Sequence, residues 1–588
     1  MRRSSAACRS ASSRTPSGPR ASRAEACTTS STTTACSMRR SHRAATSASG
    51  APRGSRRTAT PSRSSRATSR SARRRSPWAR TCSSASAATW TTSSMRSGRC
   101  TRTARSSSRP CSDSRTRRTG GDMRSSMRCI RRRRAWLILC VAPFFRTPAA
   151  AADDAGPQVG IAVRDITPEP PIRLAGYAGR NRPADAVDHP LLVQALAFKN
   201  PTGERFVLAA LDNCEVSRAF MQPVLKEFAD RFQLGPGEVA VVSSHTHSAP
   251  VLDETLTDMA QPPPPDREAI ARYSRSLKAA LVEVVGAALA DCRGAALEQG
   301  MGRACFAMNR RVYQGDRVVF GDNPDGPADW DVPVLRIRDA GGAVRAVLFG
   351  YACHGTSVRG GDDWYVVSGE YMAYARRHIE SHEPGAVAVY LTGMGADCDP
   401  SPRGRLLDAK RHGLELAGAV MGVLGRPMQR VRGPFRFAYE ELDLPLASPP
   451  GREQLEKDAR SGDVHVRMRA ERYLKMLDAG QPLPEAVKLP VAAVRFGDDL
   501  TFVLMAGEVV VDYSRRLKRL LAGDRVWPVG YAYEVPCYIP SARVIKEGGY
   551  ESEDSLIYYG FYGPLRPAVE LQVVSRVEAL VAGLRARS

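Results

Sequence analysis

Lysine is absent from the first 122 residues, and Leu, Ile, Val, Phe and Tyr are almost absent as well. A stretch of Ser, Arg, Thr and Ala with no apolar residue recurring at helical or strand period cannot bury a core. It is also short of the lysines and aromatic rings that a nucleic-acid-binding arm would use for charge and stacking. Residues 1–126 therefore read as a low-complexity segment, either disordered or an upstream extension from a misassigned start. Long hydrophobic runs are missing too. The apolar run Ala135–Phe145 follows four arginines, Arg131–Arg134, and precedes the small residues Ala149–Ala152. That is the layout of a secretory signal peptide, and the run is too short to span a bilayer. Residues 127–152 are read as that signal, so the remaining domain, 153–588, is expected to be exported to a periplasmic or extracellular space.

Two further absences concern charge and sulfur. The whole chain carries +26, yet 34 of its 86 Lys and Arg and only 3 of its 60 Asp and Glu precede residue 153. Residues 153–588 hold 52 bases against 57 acids, a formal charge of −5. Nucleic-acid binding loses its main support with that sign change. Six cysteines lie in the same region (Cys214, Cys292, Cys305, Cys353, Cys398 and Cys537) and none forms a CxxC pair, which argues against a thiolate zinc knuckle. In an exported chain some could be bridged, Cys292 and Cys305 being closest in sequence.

What is present is a series of strands that end in chemistry. Val239–Pro250 reads VAVVSSHTHSAP. Residues i and i+2 of an extended chain share a side, so His245 and His247 are expected to point the same way from a strand's end. Val159–Asp165 alternates as a strand, and Leu191–Phe198 with Arg205–Leu211 reads as a hairpin turning at Asn200, Pro201 and Gly203. Arg218–Phe232 has helical spacing, closed by Gly235 and Pro236. Pro262–Pro265 reads as a rigid surface or lid segment before a helix over Arg267–Leu289. Asn309–Arg311 follow a short strand. A hairpin of Val332–Ile337 and Ala343–Gly350 delivers CHGTS, with His354 at its end.

The strand at 385–391 empties into TGMGADCDP, which carries Asp397 and Asp399. Helical patterns cover Lys410–Leu424, Glu453–Ala479 and Arg566–Leu584. The hairpin Val491–Phe496 with Leu500–Met505 ends in AGE, placing Glu508 just before a helix near Val509, and Tyr538 falls in a tyrosine- and glycine-rich loop. This alternation predicts one large α/β catalytic domain, mixed β-sheets flanked by helices, with its site at the strand ends.

Three strand ends distant in sequence thus hold His245 and His247, His354, and Glu508. Imidazole nitrogen and carboxylate oxygen are ordinary zinc ligands, and a catalytic zinc takes about three protein ligands plus water. The residues alone leave other roles open: a lone histidine can be structural, and Glu508 can cap the following helix.

The pieces VRDITP, SSHTHSAP, Asn309–Arg311, YACHGTS, SGEYMAYARR, GMGADCDP, MAGE and CYIP…GGYE…YGP, in that order, resemble the neutral/alkaline non-lysosomal ceramidases in their amino-terminal catalytic domain. The resemblance implies a Zn2+ held by His245, His354, Glu508 and Tyr538. It implies His247 at the reacting centre, and Arg310 and Tyr550 polarising the substrate. The implied reaction is hydrolysis of the amide of ceramide or a related N-acyl compound, with a lipid or small N-acyl amide as partner and peripheral membrane contact as a further expectation. Ceramidases also carry a carboxy-terminal β-sandwich, which this sequence is not expected to form. Asp188-His189-Pro190 and the Ala396-Asp397 of GMGADCDP depart from the family pattern, with Asp397 the candidate to support the ligands. Two other readings remain: a zinc hydrolase of an ester, lactone or small amide, and a non-catalytic exported binding protein on the same fold.

Overall fold

Two sheets packed face to face carry the chain, in a computed structural model that describes residues 157–256, 259 and 262–586. The larger sheet runs, in spatial order, Val387–Thr392, Val344–Tyr351, Asp331–Asp339, Arg293–Arg303, Gln158–Asp165, Leu192–Lys199, Arg205–Leu211 and Val239–Ser243, with Gln429–Val431 beside Arg293–Arg303. Its interior pairs are antiparallel, whereas the outermost pair at each rim is parallel. The rim strands VAVYLT and VAVVS are near-continuous small and β-branched runs because both of their faces are covered. The two rims approach each other: the Thr392 hydroxyl donates to the Ser243 carbonyl at 2.7 Å, and the Gln194 amide to the Ala388 carbonyl at 2.9 Å. The carboxyl ends of three strands, 239–243, 344–351 and 387–392, are thereby gathered at one place.

The second sheet, Phe435–Pro445, Ala486–Phe496, Leu500–Met505 and Val526–Val529, covers the inner face of the first. Phe198, Leu208 and Leu348 from one side meet Phe496, Phe502 and Trp527 from the other. Helices Arg218–Phe232 and Pro264–Ala290 pack on one half of the outer face, and Glu370–His382 and Leu406–Leu424 on the other. Val511–Leu520 and Val569–Arg585 bury the back of the second sheet. The layers are therefore helix, sheet, sheet, helix: mixed sheets flanked by helices, as the pattern of the sequence predicts.

Several local expectations change. The helix after the proline run begins at Pro264, since proline is tolerated in a first turn that needs no N–H donor. Part of Pro262–Pro265 is thus helix, and the preceding 257–258 and 260–261 lie outside the described residues. The long charged pattern at Glu453–Ala479 is two helices, Arg452–Asp458 and Val464–Asp478, the second capped by the Asp463 carboxylate. Asn309–Arg311 sit inside a strand, Ala307–Gln314, instead of after one. Arg293–Arg303, which shows no clean alternation, is a strand held between neighbours on both sides.

Cys292 and Cys305 are not bridged, and the six cysteines of the described region are free thiols; that of Cys292 points at the Ala197 carbonyl, 3.6 Å away. No helix among the described residues is long and apolar enough to cross a membrane. The low-complexity segment 1–126 and the signal peptide at 127–152 lie outside the described residues.

Candidate active site

His245 follows the strand Val239–Ser243 by two residues, and there the chain stops being extended. His245 has φ 59°, in the left-handed region that non-glycine residues rarely enter. Simple alternation is therefore not what brings the two histidines together. The turn is held by Thr246, whose amide donates to the Asn213 carbonyl at 3.2 Å, and by His247, whose amide donates to the Gly355 carbonyl at 3.0 Å. The rings still converge, with the Nε2 atoms of His245 and His247 3.1 Å apart. The Gly355 that receives this bond follows His354, so the first and second histidine loops are stitched to each other by backbone.

Glu508 and Tyr538 are brought in by a two-residue parallel ladder. Glu508–Val509 pairs with Tyr538–Ile539, with Glu508 directly opposite Tyr538. Gly507 makes this approach: at φ 86° it turns the chain, and a Cβ there would lie 2.6 Å from the Ile539 side chain and 2.9 Å from the Cys537 carbonyl. Glu508 is therefore a strand residue, not a helix cap, and Tyr538 lies in a strand, not in a loop.

All four expected ligands meet. Glu508 Oε2 is 3.1 Å from His245 Nε2 and 3.2 Å from His354 Nε2, and the Tyr538 hydroxyl is 3.3 Å from the same His354 nitrogen. His245, His354 and Glu508 form a buried group whose ligand atoms lie within 4.8 Å of one another. The donor set fits a divalent metal on the geometry of its protons. His245 Nδ1 faces the Cys214 carbonyl at 2.9 Å, which fixes a proton there and turns Nε2 inward. His354 Nε2 accepts from Arg310 Nη1 at 3.3 Å, so its lone pair faces the same space. Burial first, then Arg310 and His245, pull the His354 imidazole down to about 4, so the ring is neutral at physiological pH. Burial alone would raise the Glu508 carboxyl, but His245 and His354 outweigh it and hold it well below the ordinary range. Lone pairs and a carboxylate aimed at one dry point repel one another and are stabilised by a cation held among them. Cys214, His245 and His247 also cluster, but the His245 Nδ1 on that side is committed to a carbonyl and burial pushes the Cys214 thiol well up.

The three residues expected at the reacting centre line a cavity of about 320 Å³ beside these ligands. His247 is buried under Tyr177, ring centroids 4.8 Å apart, and burial followed by its two histidine neighbours holds it well below its usual value. Arg310 is nearly fully buried, clamped by Glu551 at 2.8 Å and Asp399 at 3.3 Å, and it donates to the Tyr538 hydroxyl at 3.1 Å. Tyr550 packs its ring against Tyr538 and Phe320 at the cavity wall.

Asp397 does not face this cavity. Its carboxylate receives the Val511 amide at 2.7 Å and the Asn309 amide at 3.0 Å, so it secures the helix after Glu508 and the strand that carries Arg310. Asp399 is the carboxylate on the site, bonded to Arg310, Thr356 and Arg403, and the charges of Arg310 and Arg403 overcome burial to hold it down at about 2. Asp188 and His189 lie away from the cavity, with Asp188 on Ser368 and Tyr374. The sequence does not single out Tyr531 and Tyr559, whose hydroxyls lie 3.1 and 2.6 Å from the Glu508 carboxylate; no local pattern marks them among many tyrosines.

Residues 158–393 match the model of the family described as neutral/alkaline non-lysosomal ceramidase, N-terminal. That span holds His245, His247, Arg310 and His354 and ends before Glu508, Tyr538 and Tyr550. Among solved structures, a ceramidase complexed with C2 is 17% identical with a TM-score of 0.57, over 74% of this chain and 76% of that one. The neutral ceramidase from Pseudomonas aeruginosa is 18% identical with a TM-score of 0.57, over 74% and 75%. At this identity the likeness is one of fold. No curated protein matches the chain. Residues 158–393 are thus similar to the amino-terminal domain of the neutral/alkaline non-lysosomal ceramidases, and the likeness of fold to the two solved ceramidases continues beyond them.

Proposed function

We propose that this protein is an exported zinc-dependent amidohydrolase that cleaves the N-acyl amide of ceramide or of a related N-acyl compound. The observation that carries it is the convergence of His245, His354, Glu508 and Tyr538 at one buried point beside a cavity lined by His247, Arg310 and Tyr550. The family match favours an amide as the bond cleaved. Zinc held there would supply an activated water and polarise the substrate carbonyl.

The chain's own residues supply the rest. Arg310, fixed on two carboxylates and unable to swing away, presents positive charge where an oxyanion would develop, and Tyr550 offers a hydroxyl on the same wall. His247 is neutral and within reach of both the ligands and the cavity, so it can take a proton and return it to the leaving amine. Phe320, Tyr558 and Trp364 give the cavity apolar walls that suit an acyl or sphingoid chain.

The test is metal content and hydrolysis on protein beginning at residue 153, assayed against N-acylsphingosines, short N-acyl amides and the matching esters, with and without chelator. About one zinc per chain with chelator-sensitive ceramide cleavage is expected. Zinc present with only esters or small amides cleaved would replace the substrate and keep the mechanism. Hydrolysis surviving His245→Ala would sink the metal reading.

A further inference from the structure

Behind Glu508, on the side away from the cavity, two carboxyl groups share one hydroxyl. The Tyr559 oxygen is 2.6 Å from Glu508 Oε1 and 3.2 Å from Glu215 Oε2. Glu215 is 3% exposed and forms no ion pair among the described residues. A tyrosine hydroxyl has one proton and can donate to only one of these two oxygens. Glu508 takes it: its contact is the short one, and its other oxygen already receives Tyr531 and faces two histidines. The Tyr559 oxygen then offers Glu215 only lone pairs. An ionised Glu215 would therefore set a carboxylate oxygen against those lone pairs with no proton between them, whereas a protonated Glu215 can donate to the Tyr559 oxygen.

We infer that Glu215 is a neutral carboxylic acid that donates its proton to Tyr559, forming a directed chain from Glu215 through Tyr559 to Glu508 that orients the Glu508 carboxylate. Burial, and next the Glu508 charge, push the Glu215 carboxyl well above the usual range, which agrees with the geometry. Glu215 is a positioning residue. With its proton on the Tyr559 oxygen, the Tyr559 O–H has no alternative acceptor and stays on Glu508 Oε1, which leaves Oε2 turned to His245 and His354. The inference rests on Glu508 being a metal ligand for its effect on metal affinity, while the protonation of Glu215 rests on the single Tyr559 proton and is read by its own band.

The experiment pairs infrared difference spectroscopy with zinc titration against a competing chelator, on wild type, Glu215→Gln and Glu215→Leu. The difference between wild type and Glu215→Gln at neutral pH is expected to show the carbonyl stretch of a protonated carboxylic acid, shifted in heavy water. The glutamine amide can still donate to Tyr559, so Glu215→Gln should bind zinc about as tightly as wild type. Glu215→Leu should weaken zinc by about 10- to 100-fold, with circular dichroism confirming its fold. A spectrum unchanged by Glu215→Gln would overturn the inference, as would equal losses of affinity in both variants. A wild type that binds no zinc yet shows the band would defeat the metal reading and support the protonated Glu215.

Discussion

His245 spends backbone strain to place its ring, and the residues around it explain why that conformation persists. Its Nδ1 is held by the Cys214 carbonyl, and its neighbours Thr246 and His247 are tied to Asn213 and Gly355. His247 is placed by the same turn but has a different task. His247→Ala is expected to keep its zinc and lose turnover by about 10²–10⁴-fold, whereas His245→Ala should lose both; metal analysis beside single-turnover rates separates the two. Gly176 tests the other side of the ring. A Cβ there would fall 2.4 Å from His247 ring atoms, on a backbone at φ 89°. Gly176→Ala should displace His247, lowering kcat with zinc content unchanged, as the same two measurements would read.

At the scale of elements, the sequence shows what lies within a strand or helix and hides what lies between them. Arg218–Phe232 and the hairpins are legible because period and turn residues are local. The pairing of Glu508 with Tyr538 is not, since thirty residues separate them and each partner strand has only two residues. His245, His354 and Glu508 can be nominated because each ends a strand, while Tyr538 enters only through resemblance. Asp397 and Asp399 sit in one loop, and only the fold tells that Asp399 is the carboxylate turned inward.

The helix Glu370–His382 carries a prediction of its own. Glu370, fully buried, accepts the Ser357 and Val358 amides at 3.0 Å each, yet burial lifts its carboxyl from 4.5 to about 7. A folded value above the unfolded one means the native state binds more protons between those pH values. The contribution to stability is fully present below about 4.5 and is lost as pH rises to about 7, by an amount on the order of 3 kcal/mol. Denaturant titrations across that window should give a slope that Glu370→Gln reduces, from a lower baseline, because the amide can accept only one of the two N–H groups.

At the scale of the whole molecule, the candidate ligands come from separate parts of the fold. His245 follows one rim strand of the larger sheet and His354 the strand next to the opposite rim, Glu508 follows a strand of the second, and Tyr538 comes from the segment beyond it. A metal bound to all four would cross-link both sheets at one edge, in a place where the unfolded chain has no site. Binding to the native state alone stabilises it by about 4 kcal/mol when free zinc is a thousand times its Kd. Chelator should therefore lower the Tm of the wild type, and zinc should restore it, while His245→Ala melts at one temperature under both conditions.

Phe496, packed between the sheets against Phe198 and Phe502, provides the contrast. Phe496→Ala should cost about 3–5 kcal/mol through the cavity it leaves and lower Tm with or without zinc, while the increment due to zinc survives. If zinc raised the Tm of His245→Ala as much as that of wild type, the metal would be binding somewhere other than these strand ends.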